Sequence, residues 1–175
     1  AGDAVAVMCL LRARDGTAVM APMGAMATVS FAPMGAVREE GGRTLASRAV
    51  MASATCAVPS LGLTDATPAR FEIVPGAPAR VTTRLDRSTI PAGERATATC
   101  AVLDAEGNTV TGSSPTLGLA PMGEGARVTG LSVQIERAGM YTVSCTLPGA
   151  QSEGAELTVR PGLPARLQIA RFDDA

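Results

Sequence analysis

Apolar and polar residues alternate with period two along most of this chain. Ala96, Ala98, Cys100 and Val102 share one parity, and Arg95, Thr97 and Thr99 take the other. Val5, Val7, Cys9 and Leu11 repeat that pattern near the start. So do Ala52, Ala54, Cys56 and Val58, then Tyr141, Val143, Cys145 and Leu147, with Thr142, Ser144 and Thr146 facing the other way. Phe71 and Ile73 match Leu157 and Val159. Successive side chains of a strand point to opposite faces, so these runs predict half-buried antiparallel strands. The stretches between them are rich in Gly, Pro and Asn. ARDGT (from Ala13) and DAEGN (from Asp104) stand where two strands would join, with a glycine able to take positive φ. No segment carries a helical stripe. Short strands at this spacing, about seven per 85 to 90 residues, predict an all-β sandwich.

The runs recur in order about 90 residues later. AGDAVAVMCLLRARDGTAV (from Ala1) aligns with AGERATATCAVLDAEGNTV (from Ala92), and VSFAPMG (from Val29) with LGLAPMG (from Leu117). RAVMASATC (from Arg48) aligns with RAGMYTVSC (from Arg137), and FEIVPGAPARV (from Phe71) with LTVRPGLPARL (from Leu157). The offset drifts only between these blocks, as expected when loops absorb insertions and strands do not. Two sandwiches in tandem are therefore expected.

The duplication orders the four cysteines. Pairing Cys9 with Cys56 and Cys100 with Cys145 gives each repeat one bridge between an early and a late strand, with loops of nearly equal length. Four buried free thiols are the competing reading. Disulfides would place the chain in an oxidising compartment, outside the cell or on its surface. Paired cysteines on inward strands, with DAEGNTV after the first and GMYTVSC before the second, resemble the bacterial immunoglobulin-like domains of invasin- and intimin-type surface proteins. The chain departs from the antibody pattern. It has no Trp, Tyr141 stands four residues before Cys145, and Ala52 takes the place of Tyr141 in the first repeat. The resemblance implies two tandem immunoglobulin-like β-sandwiches of Greek-key type and a spacer or adhesive role. It carries no catalytic residue.

The expected division is an immunoglobulin-like domain over 1–76 that lacks its first strand, a second over 77–162, and a terminal segment, 163–175. PGAPAR (from Pro75) reads as a stiff linker leading into the strand that begins at Val81, and PGLPAR (from Pro161) repeats it. The terminal segment then carries Leu167, Ile169 and Phe172 as the first strand of a following repeat, or as a donor strand for another chain. Expected partners are neighbouring repeats, or identical chains head to tail. A surface receptor or matrix ligand is the further possibility, held by the loop from Thr17 to Thr28 with Met20, Met23 and Met26.

Composition narrows the remaining function classes. The chain has no His and its basic residues are all Arg, so Ser-His-Asp and Cys-His arrangements and Schiff bases are excluded. Its carboxylates fall mainly in predicted turns, and its glycines make no phosphate-cradling loop. No catalytic residue, metal ligand or cofactor is assigned, and the chain is not read as an enzyme. Oxygens of Asp104, Glu106 and Asn108, or of Asp173 and Asp174, would be the place for Ca²⁺ if there were one. A net charge of −1 without a basic cluster argues against nucleic acid. No run of apolar residues is long enough to span a membrane. The first sixteen residues, AGDAVAVMCLLRARDG, lack the basic start of a secretory signal and are read as strand. The APMG tetrapeptide occurs from Ala21, Ala32 and Ala120, and nothing in the alternation accounts for it.

Overall fold

The computed structural model describes residues 1–164. It contains two compact units: residues 1–78 together with 103–110, and residues 79–102 together with the chain from Thr111 onward.

The second unit holds the more complete sandwich. Its strands follow β8 (Ala69–Ile73), the last of the first unit, and are β9 (Arg80–Leu85), β10 (Thr89–Pro91), β11 (Arg95–Leu103), β12 (Thr116–Ala120), β13 (Ala126–Thr129), β14 (Ser132–Ile135), β15 (Gly139–Thr146), β16 (Gln151–Glu153) and β17 (Ala155–Arg160). One sheet has the order β13-β14-β11-β9-β16, the other β10-β17-β15-β12. The leading strand thus serves both sheets. β9 pairs in the first, and β10 pairs in parallel with β17 in the second. Asp86 manages the step between them. Its backbone N–H donates to Thr97 O (2.9 Å), and its Oδ1 accepts the N–H of Thr97 (2.8 Å).

Alternation decides what faces inward. Ile90, Ala96, Ala98, Val133, Ile135, Val143, Leu157 and Val159 form one buried cluster between the sheets. The Cys100–Cys145 bridge joins β11 to β15, and so ties the two sheets together. Strand order and bridge position are those of an immunoglobulin-like sandwich. Tyr141 donates its hydroxyl to Arg137 O (3.0 Å). The main-chain anchor that a tyrosine corner provides is present, although the residue stands further from its cysteine than in antibody domains.

The first unit contains β1 (Leu11–Arg12), β2 (Ala18–Val19), β3 (Thr28–Ala32), β4 (Val37–Glu40), β5 (Arg43–Ala46), β6 (Val50–Val58), a 3-10 turn (Pro59–Leu61), β7 (Leu63–Thr64) and β8 (Ala69–Ile73). Strand β6 is the hub, pairing antiparallel with β3, β7 and β8. Strands β4 and β5 form a hairpin. The opening residues run beside it, with one bridge between Ala4 and Leu45 and hydrogen bonds from Val5 N to Thr44 O (2.8 Å) and from Ala46 N to Asp3 O (2.8 Å). The Cys9–Cys56 bridge ties this opening segment to β6. The core is thin and rich in alanine, with Ala36, Ala46, Ala52 and Ile73 buried. Phe31 and Phe71 meet edge to face, ring centroids 6.4 Å apart.

One expectation changes here. The alternation of Val5, Val7, Cys9 and Leu11 predicts a full strand, yet only Leu11–Arg12 is paired as one, and Val7 is 36% exposed. The equivalent β11 is held on one edge by β14 and on the other by β9. Among the described residues the first unit has no strand corresponding to β9.

The recurring tetrapeptide also finds its reason. In two copies the N–H of the alanine after APMG donates to the proline carbonyl, Ala25 to Pro22 (3.0 Å) and Ala36 to Pro33 (3.1 Å). Gly24 and Gly35 then sit at φ 84° and 80°. This is a tight turn whose third position requires positive φ, which glycine takes freely. The copy at Ala120 runs on as PMGEGA, and its turn moves to Gly123–Ala126 with Gly125 at φ 79°. The Ala-Pro bonds at Pro33 and Pro121, the two copies aligned between repeats, are cis.

Candidate functional site

Three places are worth building from their residues: the methionine loop, the aspartate turn and a groove beside the first bridge.

The methionine loop lies between β2 and β3. The Pro22–Ala25 turn pushes Met23 to its tip, and Met20, Met23 and Met26 are 95%, 105% and 79% exposed. Met34 stands at the same turn position after β3 and is 94% exposed. An exposed thioether on a flexible stem gives an adaptable apolar contact. The loop root is ordered by polar bonds: Arg12 Nη1 donates to Gly16 O (2.8 Å), and Asp15 Oδ1 accepts from the N–H (2.9 Å) and hydroxyl (2.7 Å) of Thr17.

The turn at 103–110 belongs to the first unit. Asp104 is buried, and N–H groups take up its carboxylate. Its Oδ2 accepts from Gly76 N (2.8 Å), and its Oδ1 from Glu106 N (2.9 Å) and Asn108 N (2.8 Å). The Asn108 amide donates to both oxygens and to Ser47 O (2.8 Å), while its Oδ1 accepts from Ala49 N (2.8 Å). Glu106 pairs with Arg38. Burial pushes the Asp104 pKa up. The bonds from Gly76 N–H, the Asn108 amide and the N–H groups of Asn108 and Glu106 outweigh it, and the net direction is down. Oxygens already engaged by donors make this turn a structural clasp. Among the described residues no cluster of three or more acidic, Cys or His side chains is placed to hold a metal ion.

The groove lies between Met8–Arg12 on one side and Leu63–Asp65 on the other, with Cys56–Val58 also lining it. Its volume is about 540 Å³. The walls are polar and apolar in nearly equal measure, with Leu11, Val58 and Leu63 among the apolar residues. Sequence reasoning singled out none of the lining residues except the cysteines; Leu11 and Val58 were read only as inward strand positions. Leu167, Ile169 and Phe172, the expected donor strand, lie outside the described residues, as do Asp173 and Asp174.

No protein-family model and no curated protein matches the chain. Solved structures do. It is similar to FdeC, an Escherichia coli adhesin, at 22% identity over 79% of this chain and 54% of that one, with a TM-score of 0.49. It is similar to Yersinia pseudotuberculosis InvD at 19% identity over 93% of this chain and 54% of that one, TM-score 0.47. For the Yersinia pseudotuberculosis adhesin InvE the figures are 17% identity, 86%, 52% and 0.34. The chain spans about half the length of these structures. The immunoglobulin-like fold rests on the strand order and bridges described above.

Proposed function

We propose that the chain is a structural module of the cell exterior, a stalk or fibre element built of tandem immunoglobulin-like domains. One observation carries this reading: two units follow in succession, each with its own buried core and each with its own disulfide, closing 47 and 45 residues. Disulfides persist where the surroundings are oxidising, which supports a place outside the cytoplasm. A module that spaces or bears tension gains directly from a bridge, because the loop inside it cannot extend when the domain opens. Catalysis has no support in the residue set, which lacks His and Lys.

Pulling single molecules of the oxidised chain by its ends tests this. Two separate unfolding events are expected. Reduction should lengthen each by about 160 Å, the reach of roughly 45 released residues. Extension without resistance, or one merged event, would reject the mechanical role.

A loop-mediated adhesin is the second reading, favoured by the exposure of Met20, Met23 and Met26. It expects the oxidised chain to bind host cells in flow cytometry, and replacement of all three methionines by Gln to abolish that binding. Binding unchanged by the triple replacement would remove the loop from consideration.

A further inference from the structure

The hairpin β13–β14 of the second unit has an internal reference in the first. Strands β4 and β5 have the same lengths, and in both hairpins two residues connect the strands, the first a glycine at φ 58° (Gly41 and Gly130). Arg127 therefore stands where Arg38 does, and Thr129 where Glu40 does. Arg38 is neutralised: its Nη2 lies 2.7 Å from Glu40 Oε2, and Glu106 pairs with it as well. In the second unit a hydroxyl stands in place of that carboxylate. Among the described residues neither Arg127 nor Arg95 takes part in an ion pair.

The sheet brings these side chains together. Arg127 and Arg95 are both paired with Gln134, one from each side, and in the next outward row Thr129 and Thr97 are both paired with Ser132. Ala96 and Val133, between the rows, are buried in the core, so both rows lie on the outer face. Strands stand about 4.8 Å apart, which puts the two arginines roughly 10 Å apart at the main chain. Gln134 holds Arg95 in place: its Oε1 accepts from Arg95 Nε (3.3 Å), and its Nε2 donates to Gly93 O (3.0 Å). Arg127, Thr129, Ser132, Gln134 and Arg95 line a hollow of about 270 Å³. Arg84 of β9 shares the outer face, since Val81 and Thr83 on either side of that parity point inward. The carboxylate of Asp86, just beyond β9, is engaged: its Oδ1 accepts from the N–H groups of Arg87 and Thr97 (2.8 Å each).

We infer that this face is a binding site for an acidic glycan, a polysaccharide whose sugars carry sulfate or carboxylate groups. A guanidinium stays charged at any physiological pH, and its forked N–H groups match either oxyanion. Between the two arginines lie uncharged donors and acceptors, the Gln134 amide and the hydroxyls of Thr97, Thr129 and Ser132, which are the partners that sugar hydroxyls take. Acidic groups spaced along a glycan meet arginines spaced across strands. A peptide that docks on a sheet does so along a strand edge, where its main chain can pair, whereas this site is a sheet face and all its groups are side chains. Single-stranded nucleic acid uses aromatic stacking platforms, and none of these groups is aromatic. The glycan site does not depend on the mechanical role and adds a ligand to it.

Biolayer interferometry on the immobilised, oxidised full chain tests it. Heparin is the sulfated probe, polygalacturonate the carboxylated one, dextran the neutral control and polyglutamate the acidic peptide. Saturable binding of one or both anionic glycans, and none of dextran, is expected. R95Q/R127Q should weaken that binding by about tenfold or more with an unchanged melting curve, because both side chains are exposed. T129E, which copies the Arg38–Glu40 arrangement, should weaken it in the same direction with Arg127 still in place. R43Q/R70Q removes two exposed arginines of the first unit and should leave binding unchanged. An equal loss in R43Q/R70Q would overturn the site, since attraction would then follow net charge alone. A chain that binds neither anionic glycan overturns it too, as does polyglutamate bound as tightly as the glycans. None of these outcomes alters the two unfolding events on which the mechanical role depends, so the two readings fail separately.

Discussion

At the scale of residues, Asp104 shows how a carboxylate can be spent on main-chain donors. The same tight turn closes both repeats: Ala13 N donates to Thr17 O (2.9 Å) and Asp104 N to Asn108 O (2.9 Å). The first has Ala13 where the second has Asp104, and its own Asp15 is exposed and serves only Thr17. Replacing Asp104 by Ala leaves the N–H groups of Gly76, Glu106 and Asn108 without their acceptor, and should cost about 2 kcal/mol in urea unfolding at neutral pH. Its folded pKa is lowered. Its contribution is therefore fully present above the unfolded value of about 3.9 and is lost as pH falls through the lower folded value. The gap between parent and D104A should narrow in melts as pH is taken down from the unfolded value of about 3.9. A gap that stays constant down to acid pH would mean that the charge is not what stabilises the turn. Tyr141→Phe removes the bond to Arg137 O and should cost about 1 kcal/mol by the same measurement.

At the scale of elements, pairing decides which alternating runs become strands. Val5 to Leu11 and Ala96 to Val102 read alike, yet the second is a nine-residue strand and the first is paired only at its ends. Neighbouring strands, which alternation does not report, make the difference. The step from β16 to β17 depends on Gly154, where an added Cβ would lie 2.7 Å from Thr142 Cγ2 and 3.3 Å from Val143 O. Gly154→Ala should therefore destabilise the second unit by about 1 to 3 kcal/mol. Thr142→Ser removes the clashing methyl and should recover part of the loss in the double variant. Equal stability of G154A and G154A/T142S would show that the carbonyl, not the methyl, is the obstacle. Removing the Cys100–Cys145 bridge by replacing both residues with Ala should cost about 4 kcal/mol in the chain-entropy account. A loss under about 1 kcal/mol would mean that the core carries the unit without it.

At the scale of the whole molecule, the sequence by itself determined the fold class and the duplication. Period-two alternation identifies the inward faces, and recurrence of the same blocks shows that the architecture is used twice. Alternation is a local property, set by which residues seek burial, and a chain carries it openly. Only the tertiary structure decided which edges are covered and which are bare. The groove beside Cys9 is made by Leu11 together with Val58 and Leu63, which lie far from it in sequence, and no spacing rule links the two stretches. The APMG turns depended equally on geometry: Gly24 and Gly35 adopt positive φ there, whereas a two-residue insertion moves that role to Gly125. Asp104 reads in sequence as a turn carboxylate open to a cation, and becomes a buried clasp only because folding brings Gly76 N–H against it. Local patterning states which side chains want to be inside, and long-range pairing settles which of them have something to be inside against.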